Sequence, residues 1–298
     1  MAIHEFLHDY RQSVQHQNRL LPITIKHIEV IDGIPDILFH WHQEMEVILV
    51  REGSAHFHID YDRFVSQQDD IILIRPNGLH SIHPIADKIH ITDNLIFHLD
   101  LLGAAQMDQA SIHFLQPLQN AHSKFILRVQ PNDPGYAELR KTIEQVLLLE
   151  KDKPAFYELE LKSQLSHFIY TLYRYDYVRQ KMTEDSYRKN DKIRAIIEFI
   201  QSNYHRHLTI KDLADFAGYS ETHFMTFFKQ QTGTSAMDFI IQHRLLVATR
   251  ELKDTVKSVL RISEEVGFNN LSNFNRQFRN YYHQTPSQYR KANQVKNA

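Results

Sequence analysis

The sequence predicts a two-domain α+β chain, with an N-terminal β-barrel or sandwich followed by helices, then an all-α C-terminal domain. Three observations carry that expectation. Residues 22–102 break into short apolar runs punctuated by Asp32-Gly33, Glu52-Gly53 and Asn77-Gly78, as strands joined by tight turns require. Residues 134–180 change to apolar positions recurring every three or four residues, which is the helical period. The last hundred or so residues then carry one helix-turn-helix pattern twice, joined by a stretch that reads as one long helix.

Composition sets the outer limits. At 298 residues the chain is long enough for two domains with cores of their own. No run of about 18 apolar residues occurs, so neither a membrane span nor a membrane partner is expected. The opening MAIHEFLHDYRQSVQ mixes charges with short apolar patches, unlike a secretion signal. With no cysteine, disulfides and thiolate metal ligands are excluded, and a cytoplasmic location is the expectation. The net charge of −2 hides an asymmetry: residues 190–298 hold 15 Lys and Arg against 10 Asp and Glu. A basic C-terminal part suits a polyanionic partner. The excess is small, so the doubled motif carries the argument.

Taken in order, residues 1–20 are polar with scattered Phe6, Leu7 and Leu20, and read as a short helix or a mobile arm, with a lid as its one expected role. The runs ITIKHIEVI, DILFHWHQEMEVILV, SAHFHIDY, RFVSQ, DIILIRP, LHSIHPI and NLIFHLDLL are all β-like. Seven or eight such strands without helical patterning make a sandwich or barrel. If DILFHWHQEMEVILV is one strand, alternation puts His40, His42, Glu44 and Glu46 on one face and Trp41 and Met45 on the other.

Beyond Pro134, Leu139, Ile143 and Val146 share one side of a helix. After Lys153-Pro154, Leu161, Leu165, Phe168, Ile169 and Leu172 form a wide apolar stripe. The barrel covers one stripe, and a second copy of the chain is expected to cover the other, giving a homodimer. The alternative packs both within one subunit. Polar QKMTEDSYRKN, residues 180–190, reads as a linker. The expected division is therefore 1–133, 134–180, 181–190 and 191–298.

In the C-terminal part, the first unit spans residues 209–233. Thr209 and Asp212 form a capping box, Leu213 and Phe216 an apolar stripe, Ala214 allows close approach, and Gly218 makes the turn. Ser220 caps a second helix with Phe224, Phe227 and Phe228 inward. The second unit spans residues 256–286. Here Val256, Val259 and Leu260 face a core, Ser263 is the small residue, and Gly267 makes the turn. Asn269 or Asn270 then caps a helix with Phe274, Phe278 and Tyr281 inward. Residues 235–254 open with Ser235 and Asp238 as a further capping box. Ile241, Leu245, Ala248 and Leu252 then repeat at helical spacing, giving a rigid spacer.

The run SNFNRQFRNYYHQTPSQYRK, residues 272–291, resembles the signature of the AraC-type transcription regulators, and residues 228–252 resemble that family's first-half pattern. The resemblance implies a double helix-turn-helix that binds double-stranded DNA. Carried over residue by residue, Thr222, Met225 and Thr226 of the first reading helix, and Ser272, Asn275 and Arg276 of the second, would meet base edges. Arg276 is the strongest candidate, since arginine bridges guanine O6 and N7. Lys229 and Arg279 would contact phosphates. Departures are His283 for Gly and Ser263 for Ala, both expected to affect packing only. Thr226 stands where a basic residue is frequent, which bears on the bases read.

His40-x-His42-x3-Glu46-x6-Gly53 resembles the first motif of the cupin barrels. Asp70-x5-Pro76-x-Gly78-x-His80 resembles the second, with Asp70 replacing Gly and His80 one residue early. The resemblance implies a cupin-like sensor domain in which His40, His42, Glu44, Glu46, Arg51 and His80 line an effector pocket. Imidazoles and carboxylates bond hydroxyl groups well, so a sugar or glycoside is the expected effector. In cupin metalloenzymes the set His40, His42, Glu46 and His80 would hold a metal. With a degenerate second motif and 20 histidines in the chain, a metal-free pocket without cofactor is expected instead. The reading is thus a ligand-controlled regulator, an activator as is commoner in that family, and not an enzyme. The alternatives are a metal-dependent cupin enzyme fused to a DNA-binding domain, and a dimeric regulator that needs no ligand.

Overall fold

The computed structural model describes residues 20–30, 37–85, 88–119, 123–180 and 184–294. The expected arm, apart from Leu20, and the Asp32-Gly33 turn lie outside these residues. The chain forms two compact units, the first ending at Tyr187 and the second beginning at Arg188, the short Gly33–Leu38 stretch aside.

The first unit contains a five-stranded sheet ordered β1-β8-β3-β6-β10 and a four-stranded sheet ordered β2-β7-β4-β5. The strands are β1 Ile23–Val30, β2 Ile37–His40, β3 Met45–Gly53, β4 Ala55–Ile59, β5 Asp62–Val65, β6 Ile71–Ile74, β7 His80–Pro84 and β8 His90–Phe97. Two short strands, β9 Ser123–Phe125 and β10 Arg128–Val129, follow, and β11 Val178–Gln180 pairs with β9. The expected long strand over residues 36–50 is broken. The chain leaves β2 at His40, turns through Trp41–Glu44, and enters the other sheet as β3. A sheet-switching corner, not alternation along one strand, therefore sets the relation of His40 to Glu46.

In β3, register separates two faces. Met45, Val47 and Leu49 lie opposite Phe97, Leu95 and Asp93 of β8, whereas Glu46, Ile48 and Val50 lie opposite Ile96, Asn94 and Thr92. Met45, Val47, Leu49, Leu95 and Phe97 belong to one apolar cluster with helices α1 (Tyr136–Asp152) and α2 (Tyr157–Arg174). Leu139, Ile143 and Val146 of α1 and Leu161, Leu165, Phe168, Ile169 and Leu172 of α2 all lie buried in it. Both helical stripes are thus covered within one chain. The alternative of packing within one subunit therefore applies to these stripes, and neither needs a second copy to cover it.

Helix α3, Glu184–Asn203, begins shortly before the division and supplies the first helix of the second unit. The expected linker from residue 184 onward is therefore helical, since its Glu, Arg and Lys content favours helix as readily as linker. Ile193, Ile196, Ile197 and Ile200 are fully buried along it. Then come α4 Ile210–Ala217, α5 Glu221–Thr232, α6 Ala236–Asp254, α7 Val259–Glu265, α8 Leu271–Tyr282 and α9 Pro286–Gln294. Thr209 and Asp212 form the expected capping box, Ser220 caps α5, Ser235 caps α6, and Asn270, rather than Asn269, caps α8. Phe224 and Phe228 are fully buried, as are Phe274 and Phe278. Each contributes about 1.5–3 kcal/mol of apolar burial.

Four inward positions differ from expectation. Phe216 is exposed and stacks on Phe199 with ring centroids 4.2 Å apart, so Leu213, Ala214 and Ala217 are the buried side of α4. Val256 is 95% exposed, because it precedes the Ser258 cap, and Leu260 is half exposed. Ile262 and Ser263 make the buried side of α7, and Val266, which ends it, is buried as well. Tyr282 rather than Tyr281 closes the inward face of α8. His283 also does more than pack: it ends α8 in the left-handed conformation at φ 54°, which costs a side chain conformational strain.

An arginine holds the loop before each unit. Arg244 of α6 donates from Nε to the Tyr204 carbonyl and from Nη2 to that of Arg206, both at 2.8 Å. Arg290 of α9 donates to the carbonyls of Leu252 and Lys257, at 3.3 and 2.5 Å. The helix after each reading helix thereby fixes the entry to its own unit.

Candidate functional site

Inside the first unit, β2, the 41–44 corner, β3 and β7 bring His40, His42, Glu46 and His80 together. The ring centroids of His40 and His80 lie 4.0 Å apart, and those of His42 and His80 5.3 Å apart. All four residues are buried. His80 reaches this place although its motif spacing is one residue short. Asn77 adopts φ 56° and donates its N–H to the His42 carbonyl at 2.7 Å, tying the loop before β7 to the corner. Buried Arg75 bonds both carboxylate oxygens of Asp60, and Asp60 accepts from the Leu79 N–H. Asp70, the residue replacing Gly in the motif, accepts from the Gln67 N–H and from Arg128 Nε, which is a structural task.

Glu46 is the hub. Its Oε2 lies 3.1 Å from His42 Nε2 and 3.3 Å from His80 Nε2, while its Oε1 accepts from Asn94 Nδ2 at 2.7 Å. Thr92 donates to Asn94 Oδ1 at 2.7 Å, which continues the chain along β8. Burial would lower the His42 pKa, but hydrogen bonds to Glu44 and Glu46 and their charges raise it to about 9. Burial would raise Glu46, yet bonds and charge from His42 and His80 hold it well below the usual carboxylate range. His90, on the same face of β8, is pushed down to about 4 by burial.

The donor set also fits a metal ion. One ligand atom from each of His40, His42 and His80 can be chosen so that all lie within 4.8 Å of one another. His42 Nδ1 faces the Glu44 carbonyl at 3.1 Å and His80 Nδ1 that of Gly78 at 2.9 Å. A carbonyl only accepts, so each Nδ1 carries hydrogen. A neutral ring would then aim its Nε2 lone pair at the same Glu46 oxygen, an arrangement that requires added protons or a cation.

Glu44 is buried beside His42, with Oε2 3.5 Å from Nδ1. Arg51 does not join them. It sits on the opposite face of β3, bonded to Asp93 at 2.5 Å and to Glu144 of α1 at 2.5 and 2.8 Å. It braces α1 against the sheet. His90, Thr92 and Asn94 were not among the sequence candidates. Their spacing of two is a strand signal, but His90 and Thr92 precede the apolar run that begins at Asn94, so no strand was expected there.

In the second unit, Thr222, Met225, Thr226 and Lys229 are all exposed on α5, and Ser272, Asn275, Arg276 and Arg279 are all exposed on α8. On each helix they recur at spacings of three and four, so they share a side. Arg276 Nη2 donates to Asn273 Oδ1 at 3.0 Å, which steadies the guanidinium.

The family model for the AraC-like ligand binding domain matches residues 29–169, and a helix-turn-helix domain model matches residues 213–292. Together they span well over half of the sequence. The chain belongs to the AraC family of transcription regulators. As an AraC-family regulator it has a DNA-binding helix-turn-helix domain and an N-terminal ligand-binding domain.

It is similar to the HTH-type transcriptional regulator YdeC of Bacillus subtilis, 20% identical over 95% of this chain and 96% of that one. It is also similar to the regulator SAS0078 of Staphylococcus aureus, 27% identical over 78% of this chain. It spans only 27% of that longer relative. Among solved structures, the AdpA DNA-binding domain in complex with target DNA is 24% identical over 35% of this chain and 95% of its own, with a TM-score of 0.34. Fatty-acid-bound ToxT of Vibrio cholerae aligns over 93% of this chain and 96% of its own at 12% identity, with a TM-score of 0.46. No helix among the described residues of this AraC-family chain is long and apolar enough to cross a membrane.

Proposed function

We propose that this regulator activates transcription when a small hydroxylated effector, a sugar or glycoside, binds among His40, His42, Glu44, Glu46 and His80. One observation carries the reading. A chain of polar groups from Thr92 through Asn94 and Glu46 to the three imidazoles is buried between the two sheets, on the face that the helices do not use. Burying so many polar groups is costly, and a core needs none of them. A hydroxylated ligand would exchange its hydrogen bonds for theirs. It controls DNA binding only by favouring one of two arrangements of the protein. Thr222, Met225, Thr226, Ser272, Asn275 and Arg276 are the proposed base readers, and Lys229 and Arg279 the phosphate contacts.

The homodimer stays in this proposal on a different footing. Leu148 of α1 and Leu159 and Tyr170 of α2 remain more than half exposed, and a second copy would cover them. The test of the effector is a thermal-shift screen of sugars and glycosides, followed by operator affinity with each hit. A ligand at about 100 times its Kd stabilises by ~2.7 kcal/mol. Glu46→Gln should abolish the shift and keep DNA binding. A broad panel without any shift would favour a ligand-free dimerisation scaffold.

The two imidazoles converging on one Glu46 oxygen favour a second reading, a divalent transition metal held by His40, His42, His80 and Glu46. Such an ion would supply Lewis-acid character to a metal-dependent enzyme. Metal analysis of protein purified without chelator or nickel resin separates the readings. Stoichiometric iron or manganese, lost together with a measurable turnover in His42→Ala, would favour the enzyme.

A further inference from the structure

We infer that the two reading helices recognise different base chemistry, with α5 reading thymine methyl groups through Met225 and Thr226 and α8 reading guanine through Arg276. The inference rests on the proposed placing of these side chains at base edges, and it adds what each of them reads there.

The proposed base-reading positions of α5 are poor in hydrogen-bond donors. Thr226 Oγ1 already donates to the Thr222 carbonyl at 3.0 Å, so its hydroxyl keeps only acceptor capacity while its γ-methyl stays available. Met225 is 48% exposed and offers a thioether and a terminal methyl, with no donor. Thr222 adds a single hydroxyl, too short for the two-point recognition of guanine or adenine. His223 is turned toward the preceding turn, its ring 4.2 Å from that of Tyr219. Thr222, Met225 and Thr226 stand at i, i+3 and i+4, so their apolar groups form one patch. In the major groove the feature that matches such a patch is the C5-methyl of thymine.

On α8 the chemistry is reversed. Ser272, Asn275 and Arg276 all carry donors, and Asn273 steadies Arg276 at 3.0 Å. This helix has Arg276 and Arg279 and no acid, whereas α5 sets Glu221 in its first turn against Lys229. The first unit would thus bind by fit to methyl groups, and the second by charge and paired hydrogen bonds. The DNA site should therefore be asymmetric, with essential thymine in one half and essential guanine in the other.

The test uses the full chain. A DNA site is selected from a random duplex pool, and Arg276→Ala locates the half that α8 reads. Each thymine of the other half is then replaced by deoxyuridine, which removes only the methyl. At least one replacement should weaken binding about fourfold, the value of one methyl leaving an apolar contact. Met225→Ala should weaken the unmodified site by a similar factor and erase the deoxyuridine effect, because the two changes remove one contact. Met225→Leu should retain most of that effect. Melting temperatures equal to the parent protein's confirm that these exposed substitutions leave the fold intact. The inference is overturned if no thymine in that half responds, or if Met225→Ala keeps the full deoxyuridine effect. A pool that yields no preferred sequence would overturn the base-reading proposal itself, and this inference with it.

Discussion

Gly218 and Gly267 turn the chain at equivalent places in the two helix-turn-helix units, with φ of 68° and 92°. A methyl added at Gly218 would meet nothing within 4 Å, whereas at Gly267 it would strike the Tyr204 and His205 carbonyl oxygens at 2.7 and 2.8 Å. The glycine of the second turn is thus wedged against the segment that follows α3, whereas the space beside Gly218 is open. The second is also one residue longer, since two residues separate Gly267 from its Asn270 cap and one separates Gly218 from Ser220. Phe268 is part of that longer turn, buried and edge-on to Phe274 at 5.2 Å. Repeated sequence has therefore been fitted to two different surroundings, and the outward faces have diverged as well.

Substitution at the two glycines should break the symmetry most visibly. Gly267→Ala combines backbone strain with a clash against backbone oxygens and should cost about 3 kcal/mol or more. Gly218→Ala meets only the conformational penalty, about 1 kcal/mol. Denaturant midpoints of the two variants measure the contrast, and equal losses would mean that the two turns are equally packed. Next in size is Arg276→Ala, which should cost about 1–3 kcal/mol of DNA binding and relax the preference at one base position. Uniform weakening on every sequence would instead place Arg276 on a phosphate.

His283 and Gly233 occupy matching ends of α8 and α5, with φ of 54° and 78°. Only the histidine is strained there, so His283→Gly should stabilise the protein by roughly 1 kcal/mol. A lower melting temperature would show that the imidazole makes a contact worth more than the strain. The smallest expected effect is on salt dependence. Lys229→Ala should reduce the slope of log K against log salt by about one, and an unchanged slope would remove Lys229 from the phosphate contacts.

Both units were legible in the sequence because their signals are local. Capping residues, turn glycines and phenylalanines at spacings of three and four act within a single helix or turn. The errors there, at Phe216, Val256, Leu260 and Tyr281, are errors of helical phase near an end, where a one-residue shift changes the face. The barrel was legible as strands but not as sheets. The run around Trp41 alternates as well in a corner as in a strand, and sequence does not mark where a chain changes sheets. Arg51 lay on the unexpected face for a related reason, because residues 46 and 51 differ by an odd number in an alternating strand. The strands β9 and β10 are three and two residues long, too short to carry a period. Which surface covers the α1 and α2 stripes depends on residues far away in sequence, so patterning alone left a second subunit open.

The proposed recognition depends most on two unlike heads reading one stretch of DNA together. Its most direct test is base preference, measured over a library of duplexes for the parent chain, Met225→Ala and Arg276→Ala in parallel. The parent should show two blocks of preference about one helical turn apart, with each variant relaxing a different block. A single block, or two variants that relax the same positions, would contradict it.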